Sequence, residues 1–187
     1  MSERLNRLYL FIGSQGTGKT TVCNEFAKAF LNLSAQNKVI VVDTDAHPFY
    51  NDYTVVNIDE LAMCKSKLIR CEDADDSILF NELNTFQRNA FIIFEDAAKY
   101  ISSNISTALK RCIIDKRKRN FDLAFMFHSF NDVPPYMARN YQAIILFKTG
   151  DNYEVNRPKF SKWHTIKEAA MKLQKDKNFN AHTVIKM

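Results

Sequence analysis

The stretch 13-GSQGTGKTT-21 contains three of the four glycines in the 187-residue chain. Glycine loses more backbone entropy on folding than any other residue, so such a cluster indicates a place where the main chain bends sharply or meets another group closely. The stretch has the spacing G-x-x-x-x-G-K-[ST], which is typical of a loop that binds phosphate. The alternative is a glycine-rich turn without function, and the flanking sequence decides between the two.

The flanking sequence has the pattern that a phosphate-binding loop requires, with a strand before it and a helix after it. The apolar run from Leu8 to Ile12 predicts a short buried strand. Val22, Phe26, Phe30 and Leu33 then recur at helical spacing on one face. The predicted nucleotide-binding residues are therefore Gly13, Ser14, Gln15, Gly16, Thr17, Gly18, Lys19, Thr20 and Thr21.

The chemistry of this loop predicts ATP and Mg²⁺ as cofactors. Backbone N–H groups surround the phosphates, and the following helix directs the positive end of its dipole at the same anion. Lys19 is expected to reach the outer phosphates, and Thr20 offers its hydroxyl to Mg²⁺.

Apolar runs alternate with helical patterns along the rest of the chain. Strands are predicted near 38–43, 53–58, 67–71, 90–96, 123–129 and 143–148, with a candidate edge strand at 182–187. The alternation predicts an α/β fold, a three-layer sandwich of the phosphate-loop NTPase type with a mostly parallel central sheet. We expect a single domain over residues 1–187, with a core at about 8–148 and a C-terminal extension at about 149–187.

Ligands of such sheets bind at the carboxyl ends of the strands, and the polar residues there are the candidate site. Glu95 and Asp96 follow the apolar run 90-AFIIF-94. One carboxylate of such a pair holds Mg²⁺ and its neighbour orients the attacking water. We expect Glu95 to lie near the metal, with Thr20, and Asp96 to be the general base. The alternative is that the two acids start a helix.

Two further strand ends carry polar residues. The run 123-LAFMF-127 ends in His128, which we take as the first candidate for contact with the γ-phosphate or the attacking water, with Ser129 and Asn131 as alternates. Asp43 is expected to cap a turn rather than to join the metal shell, and Asp45 lies beside it. The remaining histidines are interpreted as surface residues: His47, His164 and His182.

Composition and charge narrow the class of protein. No apolar run approaches the ~18–20 residues that span a bilayer, and the N-terminal 13 residues do not resemble a secretion signal. The four cysteines have no metal-ligand spacing, so we expect buried free thiols and a cytoplasmic protein. The net charge is +5, and the segment 110–119 holds six basic residues against one acid. Such a face suits nucleic acid, although a solvated helix end is the simpler interpretation.

Three stretches together resemble the FtsK–HerA superfamily of DNA-pumping ATPases, which includes viral genome-packaging ATPases and zonula occludens toxin-like proteins. They are 13-GSQGTGKT-20, 91-FIIFEDA-97 and 124–151, in which Val133–Pro134 and Arg139–Asn140 fill typical places. The resemblance covers about residues 8–148. The family usually reads Asp-Glu at the second element, whereas this chain reads Glu95–Asp96, so the predicted base is one methylene shorter.

The resemblance implies a RecA/FtsK-like fold and a DNA-translocating motor of viral or mobile-element origin. It implies double-stranded DNA as partner, a homo-oligomer, most simply a hexamer, and docking to a viral or transfer portal, with no membrane segment of the chain's own and the host cytoplasm as location. Arg117, Arg119 and Arg139 are candidates for a finger that reaches a neighbouring subunit's site. A small nucleotide kinase and a slowly hydrolysing nucleotide switch or assembly protein stay open as alternatives.

Overall fold

The computed structural model describes residues 6–186. Residues 1–5, the start of the stretch considered as a secretion signal, and Met187 lie outside the described residues.

One sheet of eight strands runs through the molecule. The strands are β1 (Leu8–Ile12), β2 (Lys38–Val42), β3 (Thr54–Val56), β4 (Leu68–Cys71), β5 (Ala90–Phe94), β6 (Phe121–Phe127), β7 (Ala143–Phe147) and β8 (His182–Lys186). Their order across the sheet is β3-β4-β2-β5-β6-β1-β7-β8. All pairs are parallel except β7–β8. The mostly parallel sheet predicted from the sequence is confirmed.

Helices cover both faces of this sheet. They are α1 (Lys19–Leu31), α2 (Asp76–Phe86), α3 (Thr107–Arg119), α4 (Pro135–Asn140) and α5 (Trp163–Lys175). Buried residues of α1 pack with one face of the sheet, whereas those of the other four helices pack with the opposite face. The chain therefore forms the three-layer α/β sandwich expected from alternating strands and helices.

Burial on both faces explains why the central strands are apolar throughout. In β1, Leu8, Leu10 and Ile12 face the layer formed by α2 to α5, and Tyr9 and Phe11 face α1. A strand covered on only one side would alternate apolar and polar residues instead.

One helix begins later than the periodicity predicts. Ile101 and Ile105 share a helical spacing with Leu109, but α3 starts only at Thr107. Ser106 caps it by accepting a hydrogen bond from the Leu109 N–H, at 3.1 Å. Both isoleucines are still buried, because the irregular segment before the cap packs them under the sheet.

Three asparagines bond to one another where three neighbouring strands begin. Asn6, Asn89 and Asn120 stand just before β1, β5 and β6, and all have positive φ. The Asn120 amide donates to Asn89 at 2.6 Å and accepts from Asn6 at 2.9 Å. Asparagine tolerates the left-handed conformation better than most residues, so the sharp entries into these strands suit it. We call this side of the sheet the amino edge.

At the opposite side, the carboxyl edge, the strand order places three chemical elements next to one another. β6 lies between β5 and β1, so the residue after β6 stands between the loop after β1 and the acids after β5. In the described residues no helix is long and apolar enough to cross a membrane.

Candidate active site

The loop between β1 and α1 has the backbone that the glycine spacing predicts. Gly16 and Gly18 have φ angles of +77° and +87°, a region that side-chain-bearing residues rarely adopt. Gly13 is needed for another reason, since a Cβ there would lie 2.5 Å from Cβ of Phe147. The Ser14 N–H donates to the Lys148 carbonyl at 2.8 Å, which ties the loop to the end of β7.

Lys19, the first residue of α1, folds back toward the loop. Its Nζ donates to the carbonyls of Gly13 at 2.7 Å and Ser14 at 3.0 Å. Burial lowers the pKa of this ammonium, and the nearby carboxylates of Asp96 and Glu95 oppose that shift. The ammonium is thus the positive charge at the base of the loop.

Glu95 is buried at the end of β5, where its side chain is bonded to two hydroxyls. Tyr50 Oη donates to Glu95 Oε1 at 2.5 Å, and the Thr20 hydroxyl also bonds to this carboxylate. Burial raises the pKa of Glu95, and the bonds from Tyr50 and Thr20 oppose the rise. A buried carboxylate beside a Thr hydroxyl matches the oxygen ligands that Mg²⁺ takes, so the residues present fit this metal.

Asp96 is more exposed than Glu95 and stands in an uncommon backbone conformation. Its φ and ψ angles are 42° and 46°, in the left-handed region. Strained backbone of this kind clusters at functional sites, where it aims a side chain. Asp96 pairs with Lys99 at 3.3 Å, and Lys99 in turn pairs with Asp45.

His128 joins Lys19 to Asp96. Its Nε2 lies 2.8 Å from Asp96 Oδ1, and its Nδ1 lies 3.4 Å from Lys19 Nζ. An ammonium only donates, so Nδ1 accepts from Lys19, and Nε2 then carries the proton and donates to Asp96. The neutral imidazole satisfies both neighbours in this tautomer.

The structure brings the predicted residues together in one cleft. Residues that line it are Gln15, Gly16, Gly18, Lys19, Thr20, Thr21, His47, Phe49, Glu95, Asp96 and His128. Of the loop residues, Gly13, Ser14 and Thr17 lie behind this surface; the Thr17 hydroxyl donates to the Ser14 carbonyl at 2.8 Å.

The alternates to His128 serve the next turn of the chain. The Ser129 hydroxyl donates to Asp151 at 2.7 Å, and Asp151 also pairs with the buried Arg157 at 3.0 Å. Asn131 is exposed, and its N–H donates to Ser129. Asp43 caps a turn as predicted, since its carboxylate accepts the N–H groups of Asp45 and His47.

Three residues of the site were missed in the sequence. His47 was interpreted as a surface residue, but it lines the cleft together with Phe49. Tyr50, which was not singled out, is fully buried against Glu95. All three follow β2, so they belong to the carboxyl edge, and extending the strand-end rule a few residues beyond Asp45 would have found them.

The candidate finger arginines lie away from this cleft. Arg117 and Arg119 end α3, one or two residues before β6 begins, and Arg139 ends α4 shortly before β7. They therefore stand at the amino edge, about 20 Å from the site at 3.3 Å per residue along β6. None of them can reach the cleft of its own subunit.

The fold and site correspond to known nucleotide-binding proteins. A family model described as RNA helicase matches residues 9–105, more than half of the chain, and the chain belongs to this family. The genome packaging NTPase B204 of Sulfolobus turreted icosahedral virus 2, solved with AMP, superposes with a TM-score of 0.71 at 13% identity, covering 96% of this chain and 92% of that one. Its complex with ATP-gammaS gives 0.71 at 14% identity over 96% and 91%.

B204 from Sulfolobus turreted icosahedral virus, described as a DNA-packaging ATPase, gives a TM-score of 0.64 at 16% identity over 97% of both chains. No curated protein matches the chain in sequence. At these identities the structural matches establish the fold, which agrees with the FtsK–HerA resemblance predicted from the sequence. The chain is a nucleotide-binding phosphate-loop NTPase.

Proposed function

We propose that this protein is a Mg²⁺-dependent ATPase that moves double-stranded DNA during the packaging or transfer of a viral or mobile-element genome. The observation that carries the proposal is the contact chain Lys19–His128–Asp96 beside the buried Glu95. It unites a phosphate-binding cation, a candidate base and a metal-binding carboxylate on a fold shared with packaging NTPases.

Each residue of the cleft has a role in this reaction. Lys19 and the loop N–H groups bind the β- and γ-phosphates. Thr20 and Glu95 would hold Mg²⁺, which neutralises charge on the phosphate oxygens. Asp96 accepts a proton from the water that attacks the γ-phosphorus, and the bond from that phosphorus to the ADP oxygen breaks. His128 keeps Asp96 in place and lies near enough to Lys19 to sense the phosphates.

The bond from His128 to Asp96 also favours turnover over a silent switch. Asp96 is one methylene shorter than the glutamate usual at this position of the FtsK–HerA family, but its left-handed backbone and its bond to His128 fix where the carboxylate points. A fixed base loses less rate to disorder than a free one. The motor proposal therefore accommodates the Glu-Asp order.

Coupling to DNA would require a ring of subunits, most simply a hexamer, in the host cytoplasm. The arginines at the amino edge cannot serve their own cleft, whereas a neighbouring subunit could bring one of them into it. A portal on the particle or transfer channel would hold such a ring in place.

A second candidate function is unwinding or movement of RNA. It is favoured by the match of residues 9–105 to the RNA helicase family. The chemistry of the cleft is the same in both cases, so the two candidates differ only in the polymer that stimulates hydrolysis.

The test is ATP hydrolysis by the purified protein with no polymer, with double-stranded DNA and with duplex RNA. We expect Mg²⁺-dependent turnover that rises several-fold with DNA and is lost in Lys19→Ala and Asp96→Ala. Lys28→Ala, on an exposed position of the same helix as Lys19, and Asp52→Ala, on an exposed turn, are matched controls that should behave as wild type.

Stimulation by RNA alone would replace the DNA motor with the helicase. Turnover that requires a nucleoside monophosphate would indicate a kinase. Bound nucleotide with negligible turnover under every condition would indicate a switch.

A further inference from the structure

The C-terminal segment returns to the nucleotide cleft. β8 runs antiparallel to β7 with His182 opposite Phe147, so the turn before it, residues 176–181, lies at the carboxyl edge. Lys148 connects this turn to the phosphate-binding loop: its Nζ donates to the Asp176 carbonyl at 2.5 Å, and its own carbonyl accepts the Ser14 N–H.

Short-range hydrogen bonds fix the conformation of the turn 176–181. Asp176 accepts the Asn178 N–H at 2.8 Å, and Asn178 accepts the Asn180 N–H at 2.9 Å through its side chain and the Ala181 N–H at 3.2 Å through its carbonyl. None of these bonds uses the side chains of Phe179 and Asn180.

These two side chains lie beside the glycines of the phosphate-binding loop. A Cβ placed on Gly16 would be 3.9 Å from Phe179 Cε1, and one placed on Gly18 would be 3.9 Å from Asn180 Oδ1. Phe179 is nevertheless 56% exposed. An aromatic ring thus offers open apolar surface at the rim of a cleft whose other groups are charged or polar.

We propose that Phe179 and Asn180 recognise the base of the bound nucleotide and select adenine. This inference rests on the proposed binding of ATP at Lys19. A purine stacks on an aromatic ring whatever its edge groups are, and the stack contributes substantially to affinity. The Asn180 amide carries both a donor and an acceptor, which matches the N6 donor and N7 acceptor of adenine. Guanine presents two acceptors, O6 and N7, at the same place, so the amide oxygen would face an unmatched acceptor.

A second role for Phe179 would be to support the loop itself. In that case its removal would weaken the binding of the phosphates with or without a base attached. Inorganic tripolyphosphate, which has the phosphates but no base, separates the two roles.

The experiment measures dissociation constants of ATP, GTP and tripolyphosphate with Mg²⁺ for the wild type, Phe179→Ala, Phe179→Trp and Asn180→Ala. We expect Phe179→Ala to bind ATP about tenfold more weakly, with tripolyphosphate unchanged and with recovery in Phe179→Trp. Asn180→Ala should lose most of the preference for ATP over GTP, with tripolyphosphate again unchanged. Phe86→Ala, at a similarly exposed phenylalanine that ends α2, is the matched control.

Two results would overturn the inference: equal affinity of Phe179→Ala and wild type for ATP, or an equal loss for ATP and tripolyphosphate. Failure of the proposed function looks different, because the wild type itself would then bind neither ATP nor tripolyphosphate. Melting temperatures of all variants show whether a loss of affinity reflects loss of fold.

Discussion

The two edges of the sheet are built from the same strands but carry opposite kinds of residue. The carboxyl edge combines one buried ammonium, two carboxylates and an imidazole within hydrogen-bonding distance of one another. The amino edge carries an asparagine cluster between strand entries and the basic end of α3. Groups at the first edge are paired through short contacts, whereas Arg117 and Lys118 at the second are exposed.

This difference separates chemistry from contact with a polymer. Bond breaking needs groups that are fixed and partly desolvated, since their electrostatic effect is largest there. Binding to nucleic acid needs mobile, solvated cations that displace counterions. Hydrolysis at one edge can therefore do work at the other only if subunits or domains move relative to one another.

Asp96→Asn should break the carboxyl edge most severely. The amide cannot accept the proton of the attacking water, so we expect kcat to fall about 10²- to 10³-fold, within the range of a lost general base. ATP affinity should change little, because Lys19 and the loop remain. The measurement is steady-state hydrolysis alongside nucleotide binding.

Glu95→Gln provides the contrast to this variant. It should weaken the dependence on Mg²⁺ as well as the rate, because Glu95 bonds to Thr20 at the metal position. Equal rate losses in both variants, with equal metal dependence, would contradict the assignment of separate roles to the two acids.

The double variant Arg117→Ala/Lys118→Ala should act at the amino edge with a smaller effect. Two fewer phosphate contacts should lower the slope of log affinity against log salt by about 2. The measurement is DNA binding at several salt concentrations. Lys172→Ala/Lys175→Ala is the matched control, since these exposed lysines end α5 at the carboxyl edge.

An unchanged slope in the α3 variant would assign its basic end to the solvated surface, the simpler interpretation of the sequence. A fall in hydrolysis without a change in DNA binding would instead favour Arg117 as the finger in a neighbouring subunit.

The sequence was informative wherever backbone and chemistry depend on adjacent residues. The spacing of Gly13, Gly18 and Lys19 predicted the loop, and the strand-end rule predicted that Glu95, Asp96 and His128 converge. These residues need only a strand of known direction to be placed.

The remaining parts of the site depend on distant segments and could not be read from one chain. Tyr50 reaches Glu95 from 45 positions away, and Phe179 comes to Gly16 through the pairing of β8 with β7. The start of α3 was misplaced because Ser106 supplies a cap inside an apolar periodicity. Hydrophobic spacing alone cannot show where such a cap interrupts a helix.

Tyr50→Phe gives the smallest expected effect and the sharpest test of the buried carboxylate. The hydroxyl stabilises the ionised form of Glu95, so its removal should raise the pKa of Glu95 further above the usual range. Since metal binding needs the carboxylate, activity is lost as pH falls through that pKa, and the acidic limb should move to higher pH. We expect kcat/KM to fall by about two- to tenfold on the acidic side of neutrality, the effect of one hydrogen bond, and to recover as pH rises. Tyr53→Phe is the matched control, because Tyr53 donates to Asn24 at 3.3 Å instead. A loss that is the same at every pH would mean that Tyr50 supports the fold of the loop rather than the charge on Glu95.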